Sequence, residues 1–195
     1  MTGAVSDAMP RLVQPAAMYR ESFLAALAEY HAEGRLLELD ARALAAGHEF
    51  SRYVAALVAE VDWPGEPFRY AAALAGREPP AEPEGGYVPQ TTFWWASGRE
   101  YLGRISIRHW LTPDLLRHGG HIGYEVRPSA RGHGHATAML AAVLPLAARL
   151  GIEPACLDCL TENAASRRVI EKNGGRLYRE DDGWLYYHVP TGIRP

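Results

Sequence analysis

Residues 126–136 read VRPSARGHGHA and join an expected strand to an expected helix. The preceding segment, 122–126, alternates as a strand does, and Pro128 then ends the ladder because it has no N–H to donate. Apolar residues recur at helical spacing from Ala136 to Ala147. The first N–H groups of such a helix are unpaired and lie at its positive end, where phosphate groups bind. Glycines 132 and 134 would let the backbone approach that anion, although an ordinary turn explains two glycines equally well.

The glycine loop fits one phosphate-binding pattern better than two others. No Gly-Lys-Ser/Thr follows it, which excludes a nucleotide P-loop, and the third glycine of a dinucleotide-binding loop is missing. The segment RGHGHA at 131–136 resembles the acyl-CoA signature R/Q-x-x-G-x-G/A of the GNAT acetyltransferases. The V-x-P at 126–128 resembles the usual lead-in to that signature.

A second segment, 163–175, strengthens this resemblance. It reads NAASRRVIEKNGG, with Asn163 as a good N-cap, Val169 and Ile170 as a buried stripe, and Gly174 as a helix stop. It is similar to the later family motif N-x-x-S-x-x-V-I-E-K-N-G. Two motifs in the right order, about thirty residues apart, are far more specific than either alone.

Length and composition predict a single domain, 1–195, with a substantial core. The net charge of −3 argues against a nucleic-acid surface as the main partner. No apolar run reaches the ~18 residues of a membrane span, and residues 1–15 lack the pattern of a signal peptide. We therefore expect no membrane partner and a cytoplasmic location.

Two groups of residues invite a metal-binding interpretation. Cys156 and Cys159 are three apart in an expected strand and so point to opposite faces, which favours buried small side chains over a shared metal or a disulfide. His133 and His135 lack a third ligand of obvious register. We expect no metal, with both histidines facing solvent or phosphate.

The patterns predict the order α-α-β-β-β-α-β-α-β-β. The elements are helices over 16–33 and 40–61, strands over 91–96, 101–109 and 121–127, a helix over 136–150, a strand over 155–161, a helix over 164–172, and strands near 176–179 and 184–189, with 110–120 as a loop. The Pro-rich segment 62–90 is either a surface loop or an acceptor-side lid. Trp94, Trp95, Tyr101 and Trp110 either pack in the core or wall an acceptor pocket.

This order matches the fold that the resemblance implies, an α/β (α+β) GNAT fold. That fold has three layers, α-β-α, around a mixed, mostly antiparallel sheet of six to seven strands, splayed near 124–126. The similarity runs through nearly the whole chain and points to a poorly characterised bacterial branch of predicted acetyltransferases. It includes VPQTTFW at 88–94, GRISIRH at 103–109 and GGHIGY at 119–124.

The resemblance implies acetyl-CoA as acyl donor, attacked directly by an amine acceptor in a ternary complex. Backbone N–H groups of 132–136 would hold the pyrophosphate, the strand at Tyr124 and Val126 would line the pantetheine, and the Val126 N–H would meet the thioester oxyanion. The expected cofactor-binding residues are Tyr124, Val126, Arg131, Gly132, His133, Gly134, His135, Ala136, Asn163 and Ser166.

Proton transfer is less well defined by the sequence. Many relatives carry a tyrosine seven residues after the asparagine, but Ile170 stands there, which leaves Ser166 as the polar group near the CoA sulfur. Candidates for the base are Asp158, His121, Glu125 and, on a neighbouring strand, His109. A salt bridge for Asp158 and structural hydrogen bonds for the histidines are equally open. Arg104 and Arg108 either hold an acidic acceptor group or form a solvated strand face.

Three functions compete. The first is N-acetyl transfer from acetyl-CoA to a small-molecule or peptide amine. The second is a non-catalytic CoA-binding sensor, which Ile170 favours. The third is an acyltransferase with another donor, a longer acyl-CoA or an aminoacyl-tRNA, with Arg167, Arg168 and Lys172 as a local basic patch. Exposed strand edges are compatible with a homodimer, and the acceptor stays unidentified.

Overall fold

The computed structural model describes residues 8–59 and 88–192, so that the Pro-rich segment predicted over 62–90 falls almost entirely outside the described residues. The strands are β1 (Arg11–Val13), β2 (Gln90–Ser97), β3 (Glu100–Arg108), β4 (Ile122–Val126), β5 (Ala155–Leu160), β6 (Arg176–Asp181) and β7 (Trp184–Val189). The helices are α1 (Arg20–Ala32), α2 (Ala41–Ala45), α3 (Gly47–Ala59), α4 (Pro113–Arg117), α5 (His135–Arg149) and α6 (Ala164–Lys172).

Three elements differ from the sequence-based expectation. Strand β1 was not predicted, because three residues carry too little pattern. The helix expected over 40–61 is broken at Ala46, whose extended backbone (ψ 123°) separates α2 from α3. The expected loop 110–120 contains α4, which begins with Thr112 as N-cap and Pro113 in its first turn.

The strands form two sheets, which are hydrogen-bonded to each other where β4 and β5 begin. The four-stranded sheet has the order β1-β2-β3-β4, the three-stranded sheet has the order β5-β7-β6, and neighbours within each sheet are antiparallel. The His121 N–H donates to the Cys156 carbonyl at 2.7 Å, just where β4 and β5 begin. Beyond this joint the two strands belong to separate sheets, which agrees with the predicted splay.

Gly120 allows this joint, the close contact of residues 120–121 with Cys156, to form. Its φ of +55° lies in the left-handed region, and a Cβ there would overlap the Cys156 carbonyl oxygen and lie 2.9 Å from the carbonyl carbon. Only glycine lets the two chains approach so closely at this position.

The helices cover the sheet on both faces, as a three-layer fold requires. Side-chain alternation along β2 turns Trp95 toward a core with α5 and turns Trp94 toward a second core with α1 and α3. In the second core Trp94 stacks on Phe23 at a centroid distance of 5.2 Å and meets Tyr101 edge-on at 5.3 Å. Trp94, Trp95 and Tyr101 are therefore core residues and do not wall an acceptor pocket.

The structure also bears on metals and membranes. Within residues 8–59 and 88–192, no cluster of three or more His, Cys, Asp or Glu side chains could hold a metal ion. Cys156 and Cys159 are free thiols. None of the helices in these ranges combines the length and apolar character needed to cross a bilayer.

Candidate functional site

The splay between β4 and β5 opens a cleft of about 440 Å³. Strand β4 forms one wall, α6 forms the other, and the glycine loop that leads into α5 forms the end. The residues that line it are Arg35, Tyr124, Glu125, Val126, Ala130, Arg131, Gly132, Gly134, His135, Ala136, Thr137, Asn163, Ala165, Ser166, Arg168, Val169 and Lys172. Nine of the ten predicted cofactor-binding residues are in this set, and His133 lies within the same loop.

The start of α5 presents unpaired amides to the cleft. Gly134 is the N-cap, with φ 80° and ψ 1°, a conformation that L side chains rarely adopt. The first N–H to bond inside the helix is that of Ala138, which donates to the Gly134 carbonyl at 3.0 Å. The preceding helical amides have no helical carbonyl to bond and lie at the positive end of the helix, so an anion is a suitable partner for them.

Strand β4 turns part of its backbone toward the cleft. The backbone N–H of Arg127 donates to the Leu102 carbonyl at 2.9 Å, and the backbone N–H of Arg108 donates to the His121 carbonyl at 2.7 Å. These bonds show which residues of β4 are hydrogen-bonded to β3. Because these bonds alternate along an antiparallel pair, the N–H groups of Tyr124 and Val126 face away from β3. They therefore point into the space opened by the splay.

Arg131 forms an ion pair that connects the glycine loop to the C-terminal end of α1. Its guanidinium donates to both carboxylate oxygens of Glu33 at 2.8 Å each, and its Nε donates to the Val126 carbonyl at 3.2 Å. The hydrogen bond from Arg131 lowers the pKa of Glu33. The predicted cofactor-binding side chain of Arg131 is thus engaged within the protein.

A second set of polar contacts is made one helical turn earlier, by Glu29 of α1. The Glu29 carboxylate accepts hydrogen bonds from Arg127 and, at 2.9 Å, from the N–H and the hydroxyl of Ser129. Burial raises the pKa of Glu29, but the hydrogen bonds from Arg127 and Ser129 outweigh it and hold the pKa at about 2. Together the two glutamates connect the glycine loop and the turn before it to the C-terminal end of α1.

Each histidine of the loop has one contact within the protein. The Trp95 indole N–H donates to His135 Nδ1 at 3.3 Å, and His133 Nδ1 lies 3.4 Å from the Ala130 carbonyl oxygen. Burial, with a smaller contribution from His133, lowers the pKa of His135. His133 is nevertheless exposed and His135 lines the cleft, so these contacts do not remove the rings from the side that faces solvent or phosphate.

Helix α6 brings a hydroxyl and positive charge to the opposite wall. Asn163 Oδ1 accepts the Ser166 N–H at 3.0 Å and so caps the helix. Arg168 and Lys172 line the cleft, whereas Arg167 pairs with Glu171 at 2.8 Å. Ile170 is fully buried in the core and offers no polar atom.

The Tyr124 side chain is a site residue that the sequence did not reveal. Its hydroxyl lies 2.8 Å from Ser166 Oγ, which connects β4 to the first turn of α6. Burial raises the pKa of Tyr124 to about 12. Tyr124 was a predicted cofactor-binding residue, but its contact with Ser166 was not predicted, because no local pattern signals a contact between residues 42 apart in the chain.

The four candidate catalytic residues occupy different parts of the site. Glu125 and Ser166 line the cleft, whereas Asp158 and His121 lie near the joint between the sheets. His121 Nδ1 accepts the Cys156 N–H at 2.9 Å, so its other ring nitrogen carries the proton of the neutral ring. Burial, together with the charge of Arg108, lowers the pKa of His121 to about 4.

Asp158 and Glu125 differ in their partners. Asp158 Oδ2 accepts the Gly119 N–H at 2.6 Å. Glu125 forms ion pairs with Arg104 and, at 3.1 Å, with Arg35, and its side chain is only 9% exposed. The carboxylate of Glu125 is therefore compensated by two guanidinium groups.

Other polar groups considered from the sequence have structural partners. Arg108 Nη1 donates to the carbonyls of Gly119 and Gly120 at 2.9 Å each, and Arg104 pairs with Glu125. His109 Nε2 lies 2.8 Å from Thr91 Oγ1, and burial lowers the pKa of His109 to about 4.

Comparison with known proteins identifies similar folds. A model of the Acetyltransferase (GNAT) domain matches residues 35–176, more than half of the chain. Mycobacterium smegmatis RimJ in complex with CoA-disulfide is 20% identical, with 95% of this chain and 83% of that chain covered and a TM-score of 0.56. RimL, described as a ribosomal L7/L12 alpha-N-protein acetyltransferase, is 18% identical over 95% and 92% of the chains, with a TM-score of 0.53.

A third structure, Salmonella typhimurium yncA with acetyl-CoA, is 14% identical over 95% of each chain, again with a TM-score of 0.53. At these identities the likeness supports the fold. No curated protein sequence matches the chain at a significant level.

Proposed function

The chain belongs to the GNAT acetyltransferase family, and on that premise we propose that it transfers the acetyl group of acetyl-CoA to an amine acceptor. The transfer is a direct attack of the amine on the thioester in a ternary complex. The observation that carries this proposal is the helix start at Gly134, which opens with unpaired amides at the end of the split between β4 and β5.

The cleft supplies a place for each part of acetyl-CoA. The amides that follow Gly134 bind the diphosphate, and the charges of Arg168 and Lys172 add attraction for phosphate groups. The cleft-facing backbone of Tyr124 and Val126 runs beside the pantetheine arm. The solved structures of RimJ and yncA, which contain CoA-disulfide and acetyl-CoA, support a CoA-type ligand for this fold.

Two groups act on the reacting carbonyl and the amine. The Val126 N–H, aimed away from β3, donates to the oxyanion that forms as the amine attacks, and one such donor lowers a barrier by about 3 kcal/mol. Asp158 takes the proton of the amine. We choose Asp158 over Glu125 because Glu125 is paired with two guanidinium groups, and over His121 because Nδ1, the unprotonated nitrogen of its neutral ring, already accepts the Cys156 N–H.

The acceptor is a small-molecule or peptide amine. RimL is described as acting on a ribosomal protein α-amine, which makes a peptide N-terminus the first acceptor to test here. A CoA-binding module without turnover is the second candidate function, favoured by Ile170 at the position where many relatives carry a tyrosine.

Isothermal calorimetry with acetyl-CoA, desulfo-CoA and ATP tests the proposal. We expect micromolar binding of acetyl-CoA and desulfo-CoA and no binding of ATP. No binding of either CoA species to the folded protein would refute it. A thiol-release assay with peptide and small-molecule amines then separates an enzyme from a sensor, since a sensor binds acetyl-CoA and releases no thiol with any amine.

A further inference from the structure

Two hydroxyl groups meet across the cleft where the acyl thioester is expected to lie. Tyr124 on β4 and Ser166 in the first turn of α6 both line the cleft, and their oxygens are 2.8 Å apart. One turn further along α6, Ile170 is fully buried and apolar. This pair therefore places two hydroxyls in the facing walls that β4 and α6 give to the cleft.

We propose that Tyr124 is a positioning residue for the leaving thiolate: its phenol O–H donates to Ser166 Oγ and thereby turns the Ser166 hydroxyl proton toward the CoA sulfur. This proposal rests on the proposed acetyl transfer and deepens it. During transfer the C–S bond breaks and its electron pair stays on sulfur, so the leaving atom becomes an anion that needs a hydrogen-bond donor.

Hydrogen-bond capacity explains why two hydroxyls are needed. A hydroxyl has one proton to donate and two lone pairs that accept. If Ser166 donated to Tyr124, its single proton would be used, and the Tyr124 hydroxyl would donate to the Ser166 carbonyl oxygen, 3.4 Å away, so that neither proton would be left for sulfur. When Tyr124 is the donor, Ser166 Oγ accepts that bond and keeps its own proton for the ligand. The thiol of Cys159 also neighbours Ser166, but a CoA thiolate is charged and is the stronger acceptor.

The acidities of the groups favour a hydrogen bond over a full proton transfer. Burial raises the pKa of Tyr124 to about 12. An ordinary thiol has a pKa of about 8.5, so moving the phenol proton to the thiolate is uphill by three to four pKa units. The protons therefore stay on oxygen while the pair stabilises the sulfur anion, which later takes a proton from water.

The thiol pKa of bound CoA tests this without knowledge of the acceptor. CoA is titrated in complex with the full chain, and thiolate is followed by ultraviolet absorbance, with the desulfo-CoA complex subtracted to remove the signal of Cys156 and Cys159. We expect Ser166→Ala to raise the thiol pKa by about one to two units, the worth of one hydrogen bond to a charged acceptor. Tyr124→Phe should raise it by about half a unit to one unit, since one bond is misdirected rather than removed.

The double variant makes the test specific. Because Tyr124 acts through Ser166, Tyr124→Phe should add no further rise in the Ser166→Ala background. Tyr178→Phe is the matched control, since Tyr178 lies on β6 and is 46% exposed, and it should leave the thiol pKa at the wild-type value. Thermal melting confirms that each variant is folded.

Two results would overturn the proposal. One is a wild-type thiol pKa in the Tyr124→Phe complex, and the other is an equal rise in the presence and absence of Ser166. Failure of the wild type to bind CoA at all would refute the proposed function instead, and it is seen in the calorimetry before any titration begins.

Discussion

Replacing Gly134 by alanine should separate the conformational role of this glycine from its role at the cleft. The chain offers a matched control, because Gly151 follows the other end of α5 and has almost the same backbone angle. The values of φ are +80° and +77°, and a Cβ at either position would have no atom within 4 Å. An alanine forced into this left-handed conformation costs about 1–2 kcal/mol, so both variants should lose a similar amount of unfolding free energy.

Their affinities for acetyl-CoA should differ. At Gly134 the added methyl group stands where the first turn of α5 faces the cleft, and it prevents a phosphate oxygen from reaching an amide. A hydrogen bond to a charged group contributes about 1.5–3 kcal/mol, which corresponds to a Kd weaker by roughly 10- to 150-fold. Gly151→Ala changes no cleft residue and should bind as the wild type does.

Calorimetry gives the two Kd values, and urea unfolding gives the two losses of stability. Equal Kd values for the Gly134→Ala and Gly151→Ala proteins would refute the placement of the diphosphate at the start of α5. Unequal losses of stability would refute the conclusion that the two glycines are under the same backbone constraint.

Three further predictions concern stability and proton transfer. Because the pKa of Glu29 is lowered from 4.5 to about 2 in the folded state, its stabilisation is present above pH 4.5 and is lost as the pH falls toward 2. After allowance for solvent screening, the unfolding free energy of the wild type, measured by urea titration, should exceed that of Glu29→Gln by about 1–2 kcal/mol at neutral pH and by little near pH 2. A difference that stays constant with pH would contradict this. By the same assay, Gly120→Ala should lose about 3 kcal/mol or more of unfolding free energy, because its Cβ overlaps the Cys156 carbonyl. A loss no larger than that of Gly151→Ala would show that the contact between β4 and β5 can relax. Asp158→Asn keeps an oxygen for the Gly119 N–H, so we expect an unchanged melting temperature with about a 100-fold lower kcat/KM in thiol-release assays; an unchanged rate would restrict Asp158 to anchoring the loop.

Local signals in the sequence were enough to predict the glycine loop and the elements beside it. The signals from Gly132, Gly134, Pro128 and the helical spacing after Ala136 act over a few residues, and the helix begins at His135, one residue before the predicted start. The N-cap and stop signals around α6 worked for the same reason. Where such signals were weak, as in β1 and at the break at Ala46, the boundaries were missed.

The contacts that complete the site could not be read from the sequence, because they join distant positions. Tyr124 and Ser166 are 42 residues apart, and Arg35 and Glu125 are 90 apart. Nothing in the neighbourhood of Glu29 indicates that its partner lies 98 residues later. Such pairs depend on how α1, β4 and α6 pack, which hydrophobic periodicity alone does not specify.

The connection of α1 to the glycine loop has a consequence for ligand binding at the site. Glu29 and Glu33 bind the loop, and Arg35, two residues further on, reaches Glu125 in the cleft wall. Residues 29–35, at the end of α1 and just after it, thus contact both the glycine loop and the β4 wall of the cleft. Coupling between two sites is reciprocal, so if a ligand on the glycine loop displaces residues 29–35, the affinity of a ligand at the β4 wall changes by the same factor in both directions.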